Sequence, residues 1–319
     1  MSMKKAIVLN QKSRRGMRLI IPLSAALLAA ALGLSGCTNT EGASSKSSSA
    51  PLPSVSLSGV SEDAALAARV PADIKGTGVL TVGSDTTYAP AEFRTSSDKA
   101  VGYDVDLAKA LGKKLGLTAK VETANFDSIL PSLGTKYNLG ISGFSITNER
   151  LNAVHMVSYL NGGSTLLVKK GNPEKLTLSN LCGKKIAVQT GTVQQDDMKS
   201  KFDKECTAAG KAKVKVLPLN TTDEAITRLT TGAADGVMSD QVQMSYAAQQ
   251  SNGSLQTISS SYGRSDYGIA VAKDDTEFAQ LITDTVNSLI QDGTYAKIMT
   301  AWGAKTNMIE TAKLDPAQS

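Results

Sequence analysis

The sequence predicts an α/β protein built as two lobes, and three observations carry that prediction. From Gly78 onward, short apolar runs alternate with amphipathic stretches at helical spacing, the order expected of parallel strands joined by helical crossovers. Two passages rich in Gly and Ser, residues 159–165 and 261–265, interrupt the alternation and divide it into two units. Third, 319 residues are enough for two domains, and the scarcity of aromatics beside abundant Ala, Gly, Ser and Thr suits small helix–sheet contacts.

Residues 1–36 read as an export signal. Lys4, Lys5, Lys12, Arg14, Arg15 and Arg18 precede residue 19 with no acidic residue among them, and an apolar stretch follows over 19–34. That stretch is slightly short for a membrane span and ends in Leu34-Ser35-Gly36-Cys37. Basic, apolar, small, then cysteine is the order of a lipoprotein cleavage signal, with Cys37 the lipidated residue; a signal anchor that happens to contain a cysteine is the alternative. Ser13-Arg14-Arg15 leaves twin-arginine export open beside the general route. Without those six charges, the 34 basic residues become 28 against 29 acidic ones. A body so close to neutral offers no electrostatic case for nucleic acid.

Residues 37–75 read as the lipidated cysteine, a Ser-rich tether and a lead-in helix over 61–70, stopped by Pro71. The two remaining cysteines, Cys182 and Cys206, form an even pair in an oxidising compartment, so a disulfide is expected, two buried thiols being the alternative.

In the first unit, residues 79–82 predict a strand ending at a polar loop, 83–90. Gly102-Tyr103-Asp104 opens a helix carrying Val105, Leu107, Ala108, Leu111 and Leu115. A strand follows at 119–121, a helix from Phe126 with Ile129, Leu130 and Leu133, and a strand at 139–141. The second unit has strands at 185–188, 213–217 and 236–238, with helices from Val193 and after Thr221. Thr257 and Ile258 make a short strand. Beyond the second interruption come a strand at 267–272 and helices at 275–289 and 293–302. His155, the only histidine, reads as a surface or solvated position, and a lone histidine makes no metal site.

The stretch Ile141-Ser-Gly-Phe-Ser-Ile-Thr-Asn-Glu-Arg150 holds the most chemistry. Thr147 is placed to cap a helix whose first turn contains Glu149 and Arg150. A cation at a helix N-terminus opposes the local dipole. The guanidinium therefore wants an anion, and with the exposed backbone N–H groups it describes a carboxylate site. Pairing of Arg150 with Glu149 or another surface acid is the competing reading. The polar segments 84–90, 142–150, 189–194 and 239–240 all fall at strand C-termini, where open α/β sheets bind ligands, so a cleft ligand is expected.

The sequence resembles the polar amino-acid substrate-binding proteins of ABC importers over residues 78–303. The resemblance rests on Gly83-Ser-Asp-Thr-Thr-Tyr-Ala-Pro90, Val101-Gly-Tyr-Asp-Val-Asp-Leu-Ala108, Phe126-Asp-Ser-Ile-Leu-Pro131 and Ser145-Ile-Thr-Asn-Glu-Arg150. It continues through Leu181-Cys-Gly-Lys-Lys-Ile-Ala-Val-Gln-Thr-Gly-Thr192, Ala234-Asp-Gly-Val-Met-Ser-Asp240, Tyr267-Gly-Ile-Ala270 and Asp292-Gly-Thr-Tyr-Ala-Lys-Ile298. It implies a type II periplasmic-binding-protein-like fold with a two-segment hinge. Lobe one would be 76–162 plus 265–319, and lobe two 163–264.

It also implies roles. Arg150 would fork onto a ligand α-carboxylate, helped by the backbone N–H groups of Ser145 and Thr192. Asp240 would take the α-ammonium, with the Gly143 carbonyl. Tyr88 and Phe126 would sandwich the side chain, and Asp85, Ser142 and Gln194 would reach its polar end. Alternatives stay open from the residues themselves: Tyr88 and Phe126 as core aromatics, Asp240 as the cap of the following helix, Asp85 as a turn residue. Asp85 points to a cationic or amide head group (glutamine, arginine, lysine or similar). Two departures stand out: residues 155–159 replace the family's Asp-Phe-Ser-x-Pro-Tyr with one residue fewer, and position 193 is Val where a second hydroxyl is common.

The expectation is an exported, monomeric, lipid-anchored receptor on the outer face of the cell membrane, without cofactor or metal. It would pass its ligand to an ABC permease and its ATPase. A sensor or receptor subunit is the alternative, and behind it a family-related enzyme such as an aromatic amino-acid pathway dehydratase.

Overall fold

The computed structural model describes residues 52–317. The signal segment and Cys37 lie outside the described residues, as does most of the tether. Residues 52–60 are not a free linker: Val60 is buried, and Val55 and Leu57 pack on the same apolar cluster. The lead-in helix is two short ones, α1 (Ala64–Ala67), capped by Asp63, and α2 (Ala72–Thr77) beyond Pro71.

The first lobe begins with β1 (Val79–Ser84), followed by a small antiparallel sheet that the apolar pattern did not announce: β2 (Thr87–Tyr88), β3 (Glu92–Arg94) and β4 (Ala100–Val101). Strands of two or three residues are too short to show a periodicity. Then come α3 (Tyr103–Lys114), β5 (Thr118–Thr123), α4 (Phe126–Ile129), β6 (Leu139–Ser145) and α5 (Asn148–Ala153). Strand β7 (Val154–Lys169) leads into the second lobe, made of β8 (Lys185–Gln189), α6 (Val193–Asp197), α7 (Asp203–Ala208), β9 (Lys215–Leu219), α8 (Thr222–Thr230), β10 (Gly236–Asp240), α9 (Gln241–Gln250) and β11 (Leu255–Thr257). Strand β12 (Tyr262–Ala272) returns to the first lobe, which α10 (Thr276–Gln291) and α11 (Thr294–Ala301) complete.

Both glycine-rich passages are strand rather than loop. Tyr159 and Gly162-Gly163 sit inside β7, and Tyr262 to Ser265 open β12. The two strands pair antiparallel from Tyr262↔Ser164 to Ala272↔Val154, with the register shifting twice. Glycine is needed there for close approach: a Cβ on Gly162 would lie 2.5 Å from the Tyr267 hydroxyl. The sheet order is β5-β1-β6-β12-β7-β10-β8-β9, with β11 on β7. Three parallel strands form the centre of each lobe, and the β12–β7 pair bridges the two sets.

Each lobe packs helices on both sheet faces. In the first, α3, α10 and α11 cover one face with Leu107, Leu111, Ile282, Val286 and Ile298, while Ile129, Phe144 and Met156 fill the other. In the second, Ile186, Val188, Met198 and Phe202 form one layer, and Ala187, Leu229, Val237 and Met244 the opposite one. The Cys182–Cys206 disulfide closes at a Cα separation of 5.5 Å and joins the first of these layers.

His155 is buried rather than solvated. Its Nδ1 lies 2.7 Å from Asp315 Oδ2 and its Nε2 3.0 Å from Thr276 Oγ1, which ties the C-terminal segment to β7. No described helix is long and apolar enough to cross a membrane.

Candidate functional site

The ends of β1, β6, β8 and β10, strand β2 and the first turns of α4, α5 and α6 converge on one cleft. Its walls hold Asp85, Tyr88, Phe126, Ser142, Gly143, Ser145, Arg150, Thr192, Gln194 and Asp240, all ten candidates from the sequence, together with Gln189 and Val193. The walls enclose about 310 Å³ not occupied by protein atoms, the open mouth included.

Arg150 sits on α5, whose N-cap is Thr147; the threonine hydroxyl accepts from Arg150 N at 3.1 Å. The guanidinium does not pair with Glu149. It donates to Ser145 O at 2.8 Å and, across the cleft, to Gly191 O at 3.0 Å, and it lies over Phe126 and Phe144 at 5.6 and 5.5 Å. Those rings stack on each other with centroids 4.6 Å apart, so Phe126 is a plate beneath the arginine as well as a wall of the cleft. Burial lowers the arginine's affinity for its proton, and the charges of Asp240, Asp196 and Glu149 oppose that change. Gly191 has φ +79°, and a Cβ there would stand 3.0 Å from the Asp127 Cβ, so only glycine lets this carbonyl reach the arginine.

Asp240 ends β10 and occupies the N-cap position of α9, yet its side chain makes no capping bond. It turns into the cleft instead. Oδ2 accepts from the Tyr88 hydroxyl at 2.6 Å, and Oδ1 from Gln194 Nε2 at 2.7 Å. Burial pushes its carboxyl pKa up, and the Tyr88 and Gln194 hydrogen bonds and the Arg150 charge restrain the rise. Gln194 therefore stands at the Asp240 end, not beside Asp85 where the resemblance put it. Gly143 has φ +58°, and its missing Cβ would meet Tyr88 Cε1 at 3.2 Å.

At the far end, Asp85 accepts from Thr87 Oγ1 at 2.8 Å and from Gln189 Nε2. Burial raises its pKa, and Asp127 adds to the rise. The glutamine continues to Asn220 O at 3.0 Å and accepts from Thr222 Oγ1 at 2.9 Å. Gln189 lay within a polar segment already singled out, at a strand C-terminus, and that position was the signal that could have included it. The Ser142 hydroxyl is engaged internally: it accepts from Asp85 N at 3.0 Å and donates to Glu92 Oε1 at 2.5 Å. Neither Glu92 nor Asp104, which accepts from Gly143 N at 3.2 Å, was a candidate from the sequence.

Two sets of parallel strands whose C-terminal ends face each other across a polar cleft define a bilobed solute-binding protein. The family model for bacterial extracellular solute-binding proteins, family 3, matches residues 80–305, and the chain belongs to that family. The arginine-binding protein ArgT of Corynebacterium glutamicum is 29% identical over 250 residues, 78% of this chain and 82% of its own. An ancestral arginine-binding protein solved with arginine bound superposes with a TM-score of 0.64 at 35% identity, covering 70% of this chain and 98% of that one. An ancestral amino acid-binding protein described as a precursor of cyclohexadienyl dehydratase gives a TM-score of 0.65 at 30% identity, over 72% and 97% of the two chains.

Proposed function

We propose that this chain binds one polar amino acid between its lobes and delivers it to an ABC permease and its ATPase. One observation carries the reading. Arg150 and Asp240 face the same cleft, and neither forms an ion pair with the other or with any described residue. A buried carboxylate and a half-buried guanidinium, both without an ion-pair partner, are costly unless a ligand supplies both counter-charges. An amino-acid zwitterion does so, with its carboxylate on the guanidinium fork and its ammonium on Asp240.

The side chain would run toward Asp85. Asp127 and Asp223 add to the negative field there, and among the described residues no lysine or arginine pairs with Asp85. That favours a cationic head group, with arginine first, and the relatives named for arginine support the choice. Calorimetry against the twenty amino acids, ornithine and citrulline tests it. Arginine should bind at least about tenfold tighter than citrulline, its neutral near-isostere, the factor set by one modest charge interaction. Equal affinity would remove the cationic reading, and no binding by any of them would remove the amino-acid reading. The dehydratase precursor among the neighbours keeps an enzyme reading in view. Recovering bound ligands at unchanged mass argues against it.

The proposed lobes are 76–162 plus 265–319 and 163–264, hinged where β7 and β12 cross. Ligand should then shrink the radius measured by small-angle scattering of the monomer, and identical curves would remove the hinge. Lipid anchoring through Cys37 is part of the proposal. Cys37→Ala should leave the membrane fraction or accumulate as precursor.

A further inference from the structure

Glu92 and Asp104 are 0% and 1% exposed, hydrogen-bonded to Ser142 and Gly143 near the end of β6. Asp104 N donates to Ala91 O at 2.9 Å, so the two acids sit on adjoining backbone, and each carboxyl acts on the other's proton affinity. Glu92 Oε1 accepts from the Ser142 hydroxyl at 2.5 Å, and Asp104 Oδ2 accepts from Gly143 N at 3.2 Å and from the Tyr159 hydroxyl at 2.9 Å. The two remaining oxygens, Glu92 Oε2 and Asp104 Oδ1, have no donor among the described residues.

The groups around the pair come from several elements. Tyr103 neighbours Asp104 on α3, Tyr159 faces it from β7, and Asp85 stands beyond Ser142. The second lobe contributes Gln243, which donates to the Tyr103 hydroxyl at 2.8 Å, and the charge of Asp240. Among the described residues, no lysine, arginine or histidine bonds to either carboxyl. Two adjacent buried carboxylates without a cation repel each other, and neither can donate to the other. One proton between them removes the repulsion and supplies the missing donor.

We propose that Glu92 and Asp104 share one proton at neutral pH, and that this proton holds the Ser142–Gly143 segment of β6 in place as a positioning device beneath the ligand. The charge rests on Asp104, whose Oδ2 accepts two donors, and the proton rests on Glu92. Burial raises both pKa values, Asp104 to about 6, and the Asp104 charge raises Glu92 further. The positioning half of the proposal rests on the amino-acid reading above; the shared proton does not.

Full-length protein labelled with ¹³C at glutamate carboxyls tests the proton directly. One glutamate should keep its protonated shift at pH 7 and be absent from Glu92→Gln. Every glutamate ionised at pH 7 would overturn the proposal, and the wild-type spectrum decides this even if the variant fails to fold. Stability gives a second readout. A raised carboxyl pKa adds stability that is fully present below the unfolded value, near 4.3, and is lost as pH rises through the folded one. The wild-type folding constant should therefore fall with rising pH by up to about tenfold per unit, the limit for one proton. Glu92→Gln keeps an N–H donor but cannot titrate, so its profile should be flatter, and parallel profiles would overturn the proposal. Arginine affinity should weaken as pH rises through the loss of the shared proton, at the pH where the carboxyl spectrum shows it, and should not do so there in Glu92→Gln. If arginine does not bind at all, the functional reading fails while the carboxyl spectrum still decides the proton.

Discussion

The two charged ends of the cleft are built differently. Arg150 is half-buried, rides on a six-residue helix and is held by backbone carbonyls, Ser145 O from its own lobe and Gly191 O from the other. Asp240 is buried, ends a central strand and is held by side-chain donors, Tyr88 from the opposite lobe and Gln194 from its own. Each charge thus touches both lobes without meeting an opposite charge. Carbonyls can orient a guanidinium but not neutralise it, and hydroxyl and amide donors orient a carboxylate in the same way. Both ends keep their charge available for a ligand.

The strongest way to break this comparison is to remove either charge. Asp240→Ala and Arg150→Ala should each weaken binding of the best ligand by about 3–5 kcal/mol, roughly a hundredfold to several thousandfold, with unchanged circular dichroism. Arg150→Lys should also bind poorly, because an ammonium cannot form the two-point fork. Wild-type affinity in Arg150→Ala on calorimetric titration would show that the arginine serves only the surface.

A smaller effect concerns the ground on which Gly191 stands. The Cys182–Cys206 bridge spans 24 positions and encloses the Gly191 loop. Replacing both cysteines by serine should cost about 3 kcal/mol of stability, read from denaturant midpoints, through the freedom regained by the unfolded chain.

Tyr88→Phe sharpens the Asp240 side. It deletes a hydrogen bond to a charged group, at about 2 kcal/mol. The tyrosine bond lowers the Asp240 pKa, so its loss should raise that pKa further. Ligand affinity falls in acid as Asp240 takes up its proton, and in Tyr88→Phe that fall should begin at higher pH. Titrations across acidic pH check the displacement, and superimposable profiles would deny Tyr88 this role. Smallest is Thr147→Ala, which removes the cap of the helix carrying Arg150 and should cost about 1 kcal/mol in thermal unfolding.

Much of the fold is legible in the sequence alone. The strands at 79–82, 139–141 and 236–238 and the helix beginning near Tyr103 follow from apolar spacing, since buried strands and amphipathic helices repeat on different periods. Thr147 reads as a cap because its hydroxyl satisfies a backbone donor a few residues on, an entirely local interaction, and Thr221 before α8 does the same. The even pair of cysteines announced the disulfide.

What only the tertiary structure decided depends on partners distant in the chain. Residues 159–165 and 261–265 look flexible alone, but their backbones find ladder partners in each other and become strand. Asp240 has the local credentials of a helix cap and turns away because Tyr88 and Gln194 offer it stronger donors. Glu92 lies on a three-residue strand with no periodicity to mark it, and Asp104 opens a helix where an acid is ordinary. Composition and spacing specify which residues are apolar, charged or fit for a cap. Which buried carboxyl meets which donor is set by packing between segments 50 to 150 residues apart, as in Ser142 with Glu92 and Tyr88 with Asp240, and no local pattern encodes it.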